Sequence, residues 1–79
     1  MKVEVKFFAR CREIVGVRYK EVEIEDGTRI QDLIKLFVEA YPELEKVRLL
    51  VSLNHAYADP TARLEEGDEI ALFPPVSGG

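Results

Sequence analysis

Only one segment of this 79-residue chain carries the periodicity of a long helix. Between residues 28 and 41, Ile30, Leu33, Ile34, Phe37 and Tyr41 recur at helical spacing, which gathers them on one apolar stripe. Elsewhere the pattern alternates. Residues 2–8, 19–25, 49–53 and 68–73 place apolar side chains at every second position, the mark of a strand with one buried face. Neither kind of element can hide its apolar face alone. A chain this short buries about 60% of the surface its unfolded form exposes, enough for one modest core. The one helix must therefore lie across one sheet, and the expected fold class is α+β.

The boundaries follow from local chemistry. Residues 2–8 turn Val3, Val5 and Phe7 inward and Lys2, Glu4, Lys6 and Phe8 outward. A short helix is expected over 9–15, with Cys11, Ile14 and Val15 on one side and Gly16 placed to end it. The second strand, 19–25, turns Val22 and Ile24 inward, and Asp26-Gly27 makes a turn. Thr28 and Gln31 have the spacing of a capping box at the start of the long helix. Pro42 disfavours helical backbone at Tyr41 and stops it there. The third strand has Val51 and Leu53 inward. Asn54-His55 is a two-residue hairpin turn into a short strand at 56–58. Glu66-Gly67-Asp68 turns the chain into a last strand with Ile70 and Leu72 inward. Pro74 and Pro75 cannot donate to a ladder, so that strand ends before them. The order of strand, short helix, strand, long helix and three further strands predicts a ubiquitin-like β-grasp. Its mixed sheet of about five strands packs on one main helix, with a domain over 1–73 and an extended tail over 74–79.

Composition narrows the function. Eleven Lys and Arg stand against fifteen Asp and Glu, a formal net charge of −4. Nucleic-acid binding calls for a concentrated basic surface, and none is visible in the sequence. No apolar run approaches the ~18 residues of a membrane span, and the start of the chain has no secretory signal. One cysteine, Cys11, excludes an internal disulfide and fits a reducing, cytoplasmic setting. Its place on the apolar side of the short helix reads as a buried thiol. His55 has no clustered Cys or carboxylate and reads as a turn residue, since His tolerates positive φ better than most. Asp59, Glu65, Glu66, Asp68 and Glu69 flank turns without the spacing of a metal loop. No metal and no bound cofactor is expected.

Two features remain. Alternation puts Phe8 and Phe73 on the outward face, on strands expected to be parallel neighbours, and Leu50 can join them. Exposed apolar side chains together mark a partner surface; the alternative is that the short helix folds over Phe8, or that twisted strand ends turn the rings inward. The second feature is the ending, FPPVSGG. Pro74 and Pro75 hold the exit extended, Val76 and Ser77 continue it, and Gly78 and Gly79 have no side chains to clash in a narrow channel. Six residues at ~3.3–3.6 Å each reach about 20 Å. A stiff root and slender tip suit delivery of a terminal carboxylate into another protein. A carboxylate is a poor acyl donor until activated, and adenylation by ATP supplies a leaving group that a sulfur nucleophile can displace. The alternative is a frayed terminus.

FFARCREIVG, DGTRIQDLI, VSLNHAYA and LEEGDEIALFPPVSGG together resemble the small, sulfur-carrying subunits of molybdopterin synthases, over nearly the whole chain. The resemblance implies that Gly79 is adenylated, with ATP, by a ubiquitin-activating-type enzyme. A sulfur donor then converts it to a thiocarboxylate. The tail inserts into the large synthase subunit, in a heterotetramer, and sulfur passes to cyclic pyranopterin monophosphate to build the dithiolene that holds molybdenum or tungsten. It also implies that apolar residues at Phe8 and Phe73 pack against partners. Such a chain is not an enzyme alone; it is the sulfur-donating arm of one. Cys11 stands where the family usually has an aliphatic residue, and His55 where the hairpin often has Gly. Other readings are a ubiquitin-like modifier joined to lysines through Gly79, a thiamine-pathway sulfur carrier, and a β-grasp binding module that makes no use of its tail.

Overall fold

The computed structural model describes residues 1–75; Val76, Ser77, Gly78 and Gly79 lie outside the described residues. Five strands form one sheet in the order β2-β1-β5-β3-β4. They are β1 Lys2–Phe7, β2 Tyr19–Glu23, β3 Leu50–Leu53, β4 Ala56–Tyr57 and β5 Glu69–Phe73. The central pair, β1 and β5, is parallel, with Val5 opposite Ile70 and Phe7 opposite Leu72. The remaining pairs are antiparallel. Helix α2, Ile30–Ala40, covers one face, and a short helix α1, Arg10–Val15, follows β1. This is the mixed α+β architecture the alternation demanded.

The core is built from the expected side chains. Val3, Val5, Phe7, Ile24, Val51, Ile70 and Leu72 are buried against Ile30, Leu33 and Phe37 of α2, while Val22 and Leu53 are partly buried at its margin. Phe7 meets Phe37 edge-on, ring centroids 5.3 Å apart. Cys11 is fully buried among them. Gly16 ends α1 at φ +88°, its N–H donating to the Arg12 carbonyl at 2.7 Å, the left-handed cap that glycine adopts without strain.

Several boundaries differ from the sequence expectation. The predicted capping box at Thr28 and Gln31 does not form. The N-cap is Arg29, whose N–H donates to the Asp32 carboxylate at 3.0 Å. The Thr28 hydroxyl instead donates to the Glu25 carbonyl at 2.7 Å, closing the preceding turn. The reason is tertiary. The helix-start N–H groups of Ile30 and Gln31 donate to the carbonyls of Ala62 and Pro60, so a loop remote in sequence satisfies the donors that a side chain would otherwise serve. Strand β2 ends at Glu23 and β4 is two residues long. After Pro42 the chain does not simply leave the helix; it makes a 3₁₀ turn, Pro42–Lys46, that seals Leu44 completely into the core. Leu64 is buried as well.

Candidate functional site

The ladder registers define what the uncovered face presents. Across the five strands, Tyr19, Lys6, Ala71, Ser52 and Tyr57 stand in one row. A second row holds Glu21, Glu4 and Glu69. Toward the end where β5 leaves the sheet, Leu50 stands directly opposite Phe73. Phe8 lies one residue beyond the Phe7–Leu72 pair, its N–H continuing the ladder to the Leu72 carbonyl at 3.1 Å. Phe8, Phe73 and Leu50 therefore share the outward face at one end of the sheet.

Helix α1 does not fold over Phe8, which is 50% exposed; Phe73 and Leu50 are half-buried. Part of the cover on Phe73 comes from Tyr57, 80% exposed, whose ring centroid lies 6.1 Å away at a 54° tilt. Phe8, Phe73 and Tyr57 border a shallow hollow of about 350 Å³ floored by Ala71 and Ser52. Tyr57 was not picked out from the sequence. Its signal was there in parity: once Asn54-His55 is a two-residue turn, Tyr57 pairs with Ser52 and must face the same way.

Charge rims the hollow. Glu69 bridges Lys6 and His55, with Oε1 3.1 Å from Lys6 Nζ and Oε2 3.1 Å from His55 Nε2. Both turn residues have positive φ, Asn54 at 50° and His55 at 70°, the backbone of the tight turn expected there. Asn54 locks the turn to the start of β5: its Nδ2 donates to Asp68 Oδ1 and its Oδ1 accepts from the Glu69 N–H, both at 3.0 Å. Beneath Phe8 the chain reverses through Ala9, at φ 50° and ψ −126°, with the Cys11 N–H donating to the Phe8 carbonyl at 3.1 Å. That backbone conformation is strained for any residue but glycine, and it sits at the root of the exposed ring.

The tail leaves this same end. Pro74, half-buried, borders a small hollow with Arg10, Lys46 and Val47, and Pro75 is exposed. Arg10 ties α1 to the 3₁₀ turn there, reaching Glu13 at 3.2 Å and Glu43 at 3.8 Å. The expectations for Val76, Ser77, Gly78 and Gly79 fall outside the described residues.

The described residues assemble no catalytic group. Burial pushes the Cys11 thiol up from its ordinary value, away from the thiolate a nucleophile needs. The Asp59 carboxyl is held below its usual range by the hydroxyl and then the N–H of Thr61, a local turn rather than a ligand set. Among the described residues, no three His, Cys, Asp or Glu side chains converge as a metal site. No helix of the described residues is long and apolar enough to cross a membrane.

Comparison with known proteins gives this geometry a context. Residues 5–79 match the model of the ThiS family. The molybdopterin synthase sulfur carrier subunit of Chlamydomonas reinhardtii is 37% identical over 83 residues, covering 100% of both chains. SAMP1 of Haloferax volcanii, a small archaeal modifier protein, is 34% identical with a TM-score of 0.86, again over 100% of both chains. A chain from the protein–protein complex of subunits 1 and 2 of the Helicobacter pylori molybdopterin-converting factor is 27% identical, with a TM-score of 0.70 over 100% of both chains.

Proposed function

This chain belongs to the ThiS family and is a sulfur carrier of molybdopterin synthesis, and from that premise we propose how its tail and its uncovered face divide the work. The observation that carries the reading is the Phe8–Phe73–Leu50 cluster at the root of the tail, on a chain that matches a sulfur carrier subunit over its full length. The sheet end docks; the tail reaches. Gly79 supplies the reacting carboxylate. One of its oxygens attacks the α-phosphorus of ATP, pyrophosphate leaves, and an acyl-adenylate remains. A sulfur donor displaces AMP, and the product is a glycyl thiocarboxylate. Adenylation and sulfur delivery belong to partner enzymes, because the described part of this chain supplies no nucleophile or metal site for either step.

The acceptor complex is a molybdopterin synthase. Its large subunit receives Val76, Ser77, Gly78 and Gly79 after Pro74 and Pro75 set the direction of exit. There the thiocarboxylate sulfur bonds to a carbon of cyclic pyranopterin monophosphate and displaces an oxygen substituent from it. Water then cleaves the resulting thioester, leaving the sulfur on the pterin and returning Gly79 to a carboxylate. The pairing of subunits 1 and 2 in the Helicobacter pylori complex supports the large subunit as partner. The test is intact-mass measurement after incubation with ATP, an activating enzyme and a sulfur donor. The expected product carries one sulfur in place of one oxygen at Gly79. An unchanged mass, where a control carrier gains sulfur, would sink the proposal.

A second reading has its own observation. The likeness to SAMP1 over the full chain supports use of the same adenylate for conjugation to lysines. Isopeptide-linked products that vanish when Gly79 is deleted are the outcome it requires.

A further inference from the structure

Beside the aromatic cluster, a second hollow is lined by Glu4, Lys6, Phe8, Arg12, Arg18 and Tyr19. Three of these residues are cationic and one is anionic, on a chain whose formal net charge is −4. Lys6 is already engaged by Glu69 at 3.1 Å. Arg12 and Arg18 are different: both are exposed, and neither pairs with a carboxylate among the described residues. The acidic residues nearest in sequence, Glu13 to Arg12 and Glu21 to Arg18, turn to Arg10 and Lys2 instead. The two arginines also border one further hollow with Gly16 and Val17, so their side chains flank the same stretch of surface. Three cations against one carboxylate leave this hollow net positive, which disfavours the free domain. An anionic partner removes that penalty.

The position of the pair says what kind of anion. Phe8 borders both this hollow and the one beneath Phe73 and Tyr57, so the arginines continue the proposed docking face without a break. Tyr19 of β2, 60% exposed, lines the same hollow with a flat aromatic surface. Guanidinium forks match carboxylates bidentately. An apolar and aromatic centre with an arginine rim is the usual anatomy of a protein interface.

We propose that Arg12 and Arg18, with Tyr19, form a cationic rim that receives an acidic segment of the large synthase subunit. The inference rests on the sulfur-carrier reading. The rim steers the encounter and sets the register, while Phe8 and Phe73 hold the complex once formed. Rim charges of this kind act on association and its salt dependence more than on dissociation.

The experiment uses the full chain and purified large subunit, with association followed by stopped flow across a series of salt concentrations. Reversal of both charges, Arg12→Glu with Arg18→Glu, is expected to slow association about tenfold at low salt and to flatten its salt dependence, with dissociation changed by less than about twofold. Arg12→Lys with Arg18→Lys should keep the wild-type salt dependence. Both positions are exposed, and thermal melting checks that the variants fold. Wild-type association by the charge-reversed chain, with Phe73→Ala still weakening binding, overturns the rim and leaves the sulfur-carrier reading intact. A large subunit that binds neither the wild-type chain nor any variant overturns both.

Discussion

Phe7 and Phe8 are neighbours in the chain and belong to opposite faces of one sheet. Phe7 is 1% exposed, edge-on to Phe37; Phe8 is 50% exposed at the end of the sheet from which the tail departs. The same contrast separates Leu72 from Phe73 on the parallel strand, at 1% exposure and half-buried respectively. One face has its apolar partners within the chain, supplied by α2. The other has apolar side chains with only each other. A chain under selection for stability alone has no use for the second set, since exposed aromatics add little to folding. The difference separates side chains that make the fold from those that the proposed function assigns to a contact outside it.

The sharpest way to break that comparison is to truncate each ring in turn. Phe7→Ala should cost about 3–5 kcal/mol, because it removes a fully buried ring and leaves a cavity against Phe37. Phe8→Ala should cost under about 1 kcal/mol. Urea titration of both variants measures this, and comparable losses would erase the distinction between the faces. The complementary effect comes next in size. Phe73→Ala should weaken binding to a large subunit by about 2 kcal/mol, roughly thirtyfold, as central aromatic anchors do. Its own folding free energy should fall by less, since Tyr57 already leaves the ring half open.

Most of the fold could be read from the pattern because period and turn chemistry agree along the chain. Val3, Val5, Phe7, Ile70 and Leu72 were placed inward by alternation alone, and all five are buried. What escaped the sequence was decided by contacts remote along the chain. Thr28 and Gln31 have the right identities for a capping box, yet the carbonyls of Ala62 and Pro60 reach the helix start first. Leu44 sits in PELEK, too short and charged to show periodicity, and is buried only because the 3₁₀ turn folds back on α2. At the candidate site, Phe8, Phe73 and Leu50 followed from parity. Tyr57 was missed because a two-residue strand offers no alternation of its own, and its parity follows only through the Asn54-His55 turn. The strained Ala9 backbone has no sequence signal either, since alanine is not a turn marker.

The hairpin on the uncovered face allows a finer cut. Asn54 makes two side-chain hydrogen bonds to the start of β5, and His55 makes one polar contact to Glu69. Asn54→Ala should cost about 1–2 kcal/mol, from the lost bonds and from forcing alanine to φ 50°. His55→Gly should do the opposite and raise stability by roughly 0.5–1 kcal/mol, because glycine holds φ 70° without strain and completes the preferred turn pair. Thermal unfolding of both variants decides it. A destabilised His55→Gly would mean that the contact with Glu69 outweighs backbone strain, and that the rim of the proposed docking face also supports the fold.

The smallest effect concerns the buried side, and it tests how dry that side is. Burial pushes the Cys11 thiol above its ordinary value of 9.0 in the folded chain, so the unfolded chain loses this proton first as pH rises. From about pH 9 upward the folded state then holds more protons than the unfolded one, and stability falls with pH until the folded thiol also ionises. Below that range the group contributes no slope. The informative quantity is the difference from Cys11→Ala, which should lose this component of the alkaline decline while costing stability at neutral pH. Parallel alkaline slopes in the two proteins would show that the thiol ionises as readily in the folded chain as in the unfolded one. The space between α1 and the sheet would then admit water, and the contrast between a sealed inner face and an open outer one would be weaker than the burial of Cys11 implies.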